Sequence, residues 1–167
     1  GDAARVIAGL HKHGIEGAVV IGGDGSHKGA LTLADAGFPV VGVPKTIDND
    51  LPITDNCHGF GSVAKYVAVS TLEAAMDVRS MAKTSTKVFI LEVMGRHAGW
   101  IAAAAGLLRD IPLLILFPEV PFQEQNFLAR VKANVDQHGY CVVVVSEGSQ
   151  DPSGKFLAEQ GARDAFG

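Results

Sequence analysis

Five short runs of aliphatic and β-branched residues, separated by stretches of helical period, constrain this chain more than any other feature. The runs are Ala18-Val19-Val20-Ile21, Val40-Val41-Gly42-Val43, Val88-Phe89-Ile90-Leu91-Glu92-Val93, Leu113-Leu114-Ile115-Leu116-Phe117 and Cys141-Val142-Val143-Val144-Val145. A strand that faces water on one side alternates apolar and polar residues, whereas one covered on both faces reads as a continuous apolar run. These runs are of the second kind. Residues 2–13, 26–36, 59–82, 97–108 and 123–138 read as helices between them. The alternation predicts an α/β fold: a doubly wound, mostly parallel sheet with helices on both faces and right-handed crossovers. In the third helical stretch Leu72, Ala75, Met76 and Arg79 fit one side.

The 167 residues suit one domain or most of one. Net charge is −4 and no cluster of Lys and Arg stands out, which argues against a nucleic-acid partner. No run approaches the roughly 20 apolar residues of a membrane helix, and no charged-then-apolar leader opens the chain, so no membrane partner is expected. The two cysteines, Cys57 and Cys141, are far apart and form no C-x-x-C pair. A disulfide framework or zinc site is not expected, and a reducing cytoplasm is. Cys141 opens an apolar run and reads as a buried small hydrophobe. The chain opens directly in a helical pattern and stops just after a loop, so a piece of a longer polypeptide is expected.

In open α/β sheets, ligands bind beyond the carboxyl ends of the strands. Here those ends run into polar residues: Asp24 and Ser26, then Thr46, Asp48 and Asp50, then Arg96, then Glu119, then Ser146 and Glu147. Five loops are expected to converge on one sheet edge as a site. In Gly22-Gly23-Asp24-Gly25-Ser26 the glycines let backbone N–H groups approach a phosphate, and Ser26 stands where a helix would begin. Asp24 then needs a cation between itself and the phosphate, for which Mg²⁺ is suited. A glycine-rich turn whose Asp and Ser cap the helix explains the same residues. Similar loops also occur in NAD kinases and diacylglycerol kinases.

The segment Pro44-Lys45-Thr46-Ile47-Asp48-Asn49-Asp50 is more specific. Two nearby carboxylates favour different roles, one holding metal and one accepting a proton. Lys45 adds charge able to neutralise a transferring phosphoryl group. An Asx-rich turn would not need both the lysine and the paired acids. In Glu92-Val93-Met94-Gly95-Arg96-His97, Arg96 offers a rigid fork for a phosphate or sugar hydroxyl, and Gly95 permits close backbone approach. Glu92 reads as a satisfied buried acid and His97 as structural. His11, His13, His27, His58 and His138 show no metal-ligand spacing.

Together these segments resemble the phosphofructokinases. Gly22 to Ser26 is similar to that family's nucleotide-phosphate and Mg²⁺ loop, Pro44 to Asp50 to its Thr-Ile-Asp-Asn-Asp segment, and Met94-Gly95-Arg96 to its Met-Gly-Arg. Asp55 to Gly61, Val69 to Glu73 and Glu147 also fit, so the resemblance covers essentially the whole chain. It implies a Rossmann-like fold and a glycolytic enzyme transferring a phosphoryl group from ATP or pyrophosphate to the 1-hydroxyl of fructose 6-phosphate. By resemblance, Asp48 is the general base, with Lys45 and Arg96 also catalytic. Gly23, Asp24, Gly25 and Ser26 bind the donor, with Asp24 on Mg²⁺. Thr46, Ile47, Asp48, Asp50, Met94, Gly95, Arg96 and Glu147 bind the sugar phosphate. Lys87 falls where simple bacterial members carry an arginine reaching a neighbouring subunit's site, which implies a homo-oligomer, a dimer or tetramer. Residues 1–167 would be the central part of the catalytic domain, lacking flanking parts and inactive alone.

The donor is open to two readings within the resemblance. Pyrophosphate-using members usually carry a second Asp at the position of Gly25, together with a lysine at that of Lys45. A carboxylate there would repel the α-phosphate of ATP, whereas glycine leaves room for it. Some ATP-using members also combine glycine with lysine. Thr54-Asp55-Asn56-Cys57 and Gly95 to Trp100 are more similar to the pyrophosphate branch. Gly25 favours ATP, and pyrophosphate is the alternative. An NAD or lipid kinase would explain Gly22 to Ser26 alone. A sugar-phosphate-sensing paralogue would not need to retain Asp48, Asp24 and Arg96.

Overall fold

A computed structural model describes residues 3–160, so the expected helix start at residue 2 lies outside the described residues. The chain divides into two compact units, Gly1–Gly59 and Phe60–Gly167. The first contains α1 (Ala3–Lys12), β1 (Ala18–Gly22), α2 (Asp24–Asp35), β2 (Val40–Thr46) and the two-residue β3 (His58–Gly59). Its sheet runs β1-β2-β3, all parallel, with Ala18 opposite Val40 and Gly22 opposite Pro44. That register brings the carboxyl ends of β1 and β2 side by side. Val20 faces Ala30 and Leu33 of α2, while Val19, Ile21 and Val41 on the other face are 62–65% exposed.

The second unit contains α3 (Phe60–Met81), β4 (Val88–Val93), α4 (Trp100–Ala104) with a 3₁₀ turn at Ala105–Leu107, β5 (Leu113–Leu116), α5 (Glu124–His138), β6 (Cys141–Ser146) and a 3₁₀ turn at Leu157–Gln160. Its parallel sheet has the order β4-β6-β5. Central β6 explains the most continuous apolar run, since Cys141 to Val144 are at most 1% exposed. Val142 packs with Ala75, Val78 and Ala82 from α3 and its end. The adjacent Cys141 points the other way, where the Asn134 amide of α5 lies 3.5 Å from its Sγ. Helices therefore cover both faces of β6, whereas Ile90 and Glu92 of edge strand β4 are exposed. Burial pushes the Cys141 thiol pKa up, opposed by the Asn134 hydrogen bond.

The parallel α/β architecture is the expected one, but its strands divide between two three-stranded sheets. β3 carries no apolar run and pairs through Lys45 and Thr46 alone, too little signal to read from sequence. The buried row of α3 is Val67, Thr71, Ala75 and Val78, whereas Met76 is 63% exposed and Arg79 is exposed. Thr71 conceals that row in the sequence: its hydroxyl donates to the Val67 carbonyl at 2.7 Å, so a polar residue sits satisfied in the core. The helix expected over 97–108 shortens to Trp100–Ala104 because residues 94–99 form an irregular loop. Glu92 is exposed rather than buried.

Candidate active site

In the first unit, β1 hands directly to α2 at Gly23, which takes an extended N-cap conformation without a side-chain cap. Asp24, Gly25 and Ser26 are the first turn of the helix rather than the loop before it. Their N–H groups lack intrahelical acceptors, and the helix dipole places partial positive charge there. Such a helix start offers N–H donors to an anion. Asp24 is exposed and its carboxylate accepts from Lys28 Nζ at 2.6 Å. That hydrogen bond and the carboxylate's charge raise the Lys28 pKa. Exposed pairs of this kind are weak enough to exchange for another cation. Among the described residues no group of three or more His, Cys, Asp or Glu could hold a metal. Asp24 offers a single exposed carboxylate, a donor type that suits Mg²⁺ where phosphate oxygens would supply further ligands.

The end of β2 lies beside that turn: a Cβ built on Gly23 would be 3.7 Å from the Lys45 carbonyl oxygen and 3.8 Å from Thr46 Cβ. Thr46 Oγ1 accepts the Asp48 N–H at 3.3 Å, folding the chain into a turn. Asn49 then adopts φ 53°, a left-handed conformation that Asn tolerates better than most residues. Its buried amide holds the turn closed, Oδ1 accepting the Cys57 N–H at 2.8 Å and Nδ2 donating to the Asp55 carbonyl at 3.4 Å. Thr46, Ile47 and Asp48 are half-buried, while Lys45 and Asp50 are exposed. Gly23 to Ser26 and Lys45 to Asp50 are thus brought together. The two acids differ in surroundings, Asp48 half-buried and Asp50 exposed.

In the second unit, β4 and β6 end opposite one another, Val93 against Ser146. The Glu147 N–H donates to the Val93 carbonyl at 2.9 Å, and Ser146 Oγ donates to the Gly95 carbonyl at 2.5 Å. Gly95 has φ 120°, outside the usual range for residues with a Cβ. At Gly148 a Cβ would collide with the Arg96 carbonyl oxygen, so only glycine allows the two loops to touch. Met94, Gly95, Arg96 and Glu147 are brought together here, Gly95 buried, Glu147 half-buried, Met94 and Arg96 exposed. Arg96 Cζ stands 5.9 Å from the centroid of the Phe156 ring.

Two expected participants make local contacts. Lys87 precedes β4 at its amino end, a strand's length from Arg96, and its Nζ donates to the Ala82 carbonyl at 3.0 Å. Glu119 is at the expected sheet edge, but Oε1 accepts the Gly99 N–H at 2.8 Å at the start of α4. It acts there as a cap. Three contributors escaped the sequence reading: the clamping role of Asn49, the contact glycine Gly148 and the ring of Phe156. Only Asn49 left a signal, an Asn among Asx-turn residues.

Comparison with known proteins places this geometry. A profile of the Phosphofructokinase family matches residues 2–165. A pyrophosphate–fructose 6-phosphate 1-phosphotransferase of Methylococcus capsulatus is 62% identical over 137 residues, covering 78% of this chain and 33% of that protein. An ATP-dependent 6-phosphofructokinase of Bacillus thuringiensis is 46% identical over 154 residues, covering 90% of this chain and 46% of that one. A crystal structure of a pyrophosphate-dependent phosphofructokinase from Nitrosospira multiformis superposes with a TM-score of 0.86 at 55% identity, over 92% of this chain and 41% of that one. The chain thus spans less than half the length of these proteins. The expectation of ATP as donor is not supported, because the relatives of higher identity carry the pyrophosphate name. Residues 2–165 match the family profile and the α/β scaffold superposes on its solved structures, so the chain belongs to the phosphofructokinase family.

Proposed function

We propose that this chain is the central part of a pyrophosphate-dependent fructose 6-phosphate 1-phosphotransferase. The observation that carries the donor assignment is the higher identity to proteins of that name, 62% against 46% for an ATP-dependent relative. In the reaction the 1-hydroxyl oxygen forms a bond to phosphorus and the P–O bond to the leaving phosphate breaks. Fructose 1,6-bisphosphate and inorganic phosphate result. Asp48 accepts the hydroxyl proton; its half-buried position on a turn pinned by Thr46 and Asn49 supports that role. The first turn of α2, Gly23 to Ser26, binds the donor with its unpaired N–H groups.

Asp24 would hold Mg²⁺, which when bound neutralises phosphate charge. Lys45 and Arg96 add positive charge toward the phosphoryl groups. Thr46, Ile47, Asp50, Met94, Gly95, Arg96 and Glu147 bind the sugar phosphate. Lys87 acts toward a neighbouring subunit in a homo-oligomer, and the enzyme is cytoplasmic. Among the described residues no helix is long and apolar enough to cross a membrane.

A second reading, ATP as donor, draws on Gly25. A side chain there would meet nothing within 4 Å, so the local fold does not demand glycine and the space is open to a larger donor. Fructose 1,6-bisphosphate formation by the full-length protein from pyrophosphate tests the proposal. Product from ATP alone transfers support to the second reading.

A further inference from the structure

Resting on the proposed role of Arg96 toward the sugar phosphate, we propose that Phe156 is a positioning residue whose ring holds the Arg96 guanidinium ready for a phosphorylated ligand. Arg96 Cζ lies 5.9 Å from the ring centroid, within the roughly 6 Å at which a cation is drawn to an aromatic face. The His97 ring reaches the same side chain, with 6.5 Å between centroids and planes at 53°. Phe156 therefore underlies two consecutive residues of the loop after β4.

An arginine has many rotamers, and a ligand must select the one that presents its fork. A ring beneath the guanidinium makes that selection in advance. A carboxylate partner would do so by occupying the N–H donors and cancelling the charge, whereas a ring leaves all the donors for a ligand. Among the described residues no carboxylate pairs with Arg96.

The segment that carries Phe156 is closed on itself. Gln150 and Phe156 form an antiparallel bridge, and the Asp151 N–H donates to the Lys155 carbonyl at 2.9 Å. Asp151 Oδ1 accepts from the Ser153 N–H at 2.8 Å, the Ser153 hydroxyl at 2.6 Å and the Lys155 N–H at 3.1 Å. The Leu157 N–H donates to the Ser149 carbonyl at 3.0 Å and the Phe122 N–H to the Gln150 carbonyl at 2.7 Å. This hairpin springs from the loop whose Gly148 meets the Arg96 backbone. One loop after β6 thus fixes Arg96 twice, by its backbone at Gly148 and by its side chain at Phe156.

A platform needs an aromatic face and acts through Arg96 on the sugar phosphate more than on the donor; a merely space-filling ring is served by leucine. In the full-length protein, Phe156→Leu is expected to raise the KM for fructose 6-phosphate by about 2- to 30-fold and to lower kcat through the loosened Arg96, leaving the donor KM near wild type. Phe156→Tyr and Phe156→Trp are expected to restore the KM. Leucine and tyrosine variants that behave alike, or a donor KM that rises equally, overturn the proposal. Nuclear magnetic resonance of arginine-labelled full-length protein without substrate gives a readout independent of turnover. Ring-current shifts of the Arg96 side chain are expected in the wild type and lost in Phe156→Leu. Should the wild type fail to phosphorylate fructose 6-phosphate while those shifts behave as expected, the substrate reading fails and the platform stands. Arg96 resonances unchanged by Phe156→Leu overturn the platform itself.

Discussion

Asp48 and Asp50 stand two residues apart in different surroundings, the first half-buried in a pinned turn and the second exposed. A base whose position is fixed loses little to reorganisation when the proton moves, which is the ground for the role proposed for Asp48. Asp48→Ser in the full-length protein is expected to lower kcat by about 10²–10⁴-fold, while calorimetry still shows fructose 6-phosphate binding; an unchanged rate contradicts the assignment. Cys141 permits a second prediction at this scale. Its thiol pKa is raised above the ordinary 9.0 by burial, so the unfolded chain releases this proton at lower pH than the folded one. The stabilisation is fully present below pH 9.0 and is lost as pH rises through the folded value. Melting temperature should therefore fall above that pH, and Cys141→Ala should flatten the fall. A slope identical in the two proteins contradicts this.

The elements that make the site are short connections between strands and whatever follows them, and two glycines show how differently they are constrained. A methyl group at Gly148 has nowhere to go but the Arg96 carbonyl. Gly148→Ala is expected to cost at least about 3 kcal/mol, read as a lowered denaturation midpoint. Gly25 sits in the first turn of α2 with open space around it. Gly25→Ala should leave stability unchanged or raise it by about 0.5–1 kcal/mol. Equal penalties at both positions would contradict this account of the two loops.

The same elements show what could be read from the sequence. The strand β6 was legible because both its faces are covered, leaving an uninterrupted apolar run. The Lys45 to Asp50 and Met94 to Arg96 segments were legible because their chemistry is concentrated in consecutive residues. The buried row of α3 was not, since Thr71 meets its hydrogen-bonding need within the helix. Phe156 was hidden for another reason: an aromatic after a turn carries no local mark of the arginine it meets.

At the scale of the molecule, two parallel sheets each present loops at their carboxyl ends, Gly23 to Asp50 in one unit and Met94 to Glu147 in the other. The chain spans only 33–46% of its named relatives, so function is to be measured on the full-length protein. The proposed enzyme is a phosphofructokinase that takes its phosphoryl group from pyrophosphate. The direct measurement is kcat/KM with pyrophosphate and with ATP, each with saturating fructose 6-phosphate, for wild type and Gly25→Asp. Efficient turnover with pyrophosphate is expected to survive Gly25→Asp, and turnover with ATP is expected to be weak and to weaken further with the added carboxylate. Turnover with ATP alone, abolished by Gly25→Asp, would contradict the proposal.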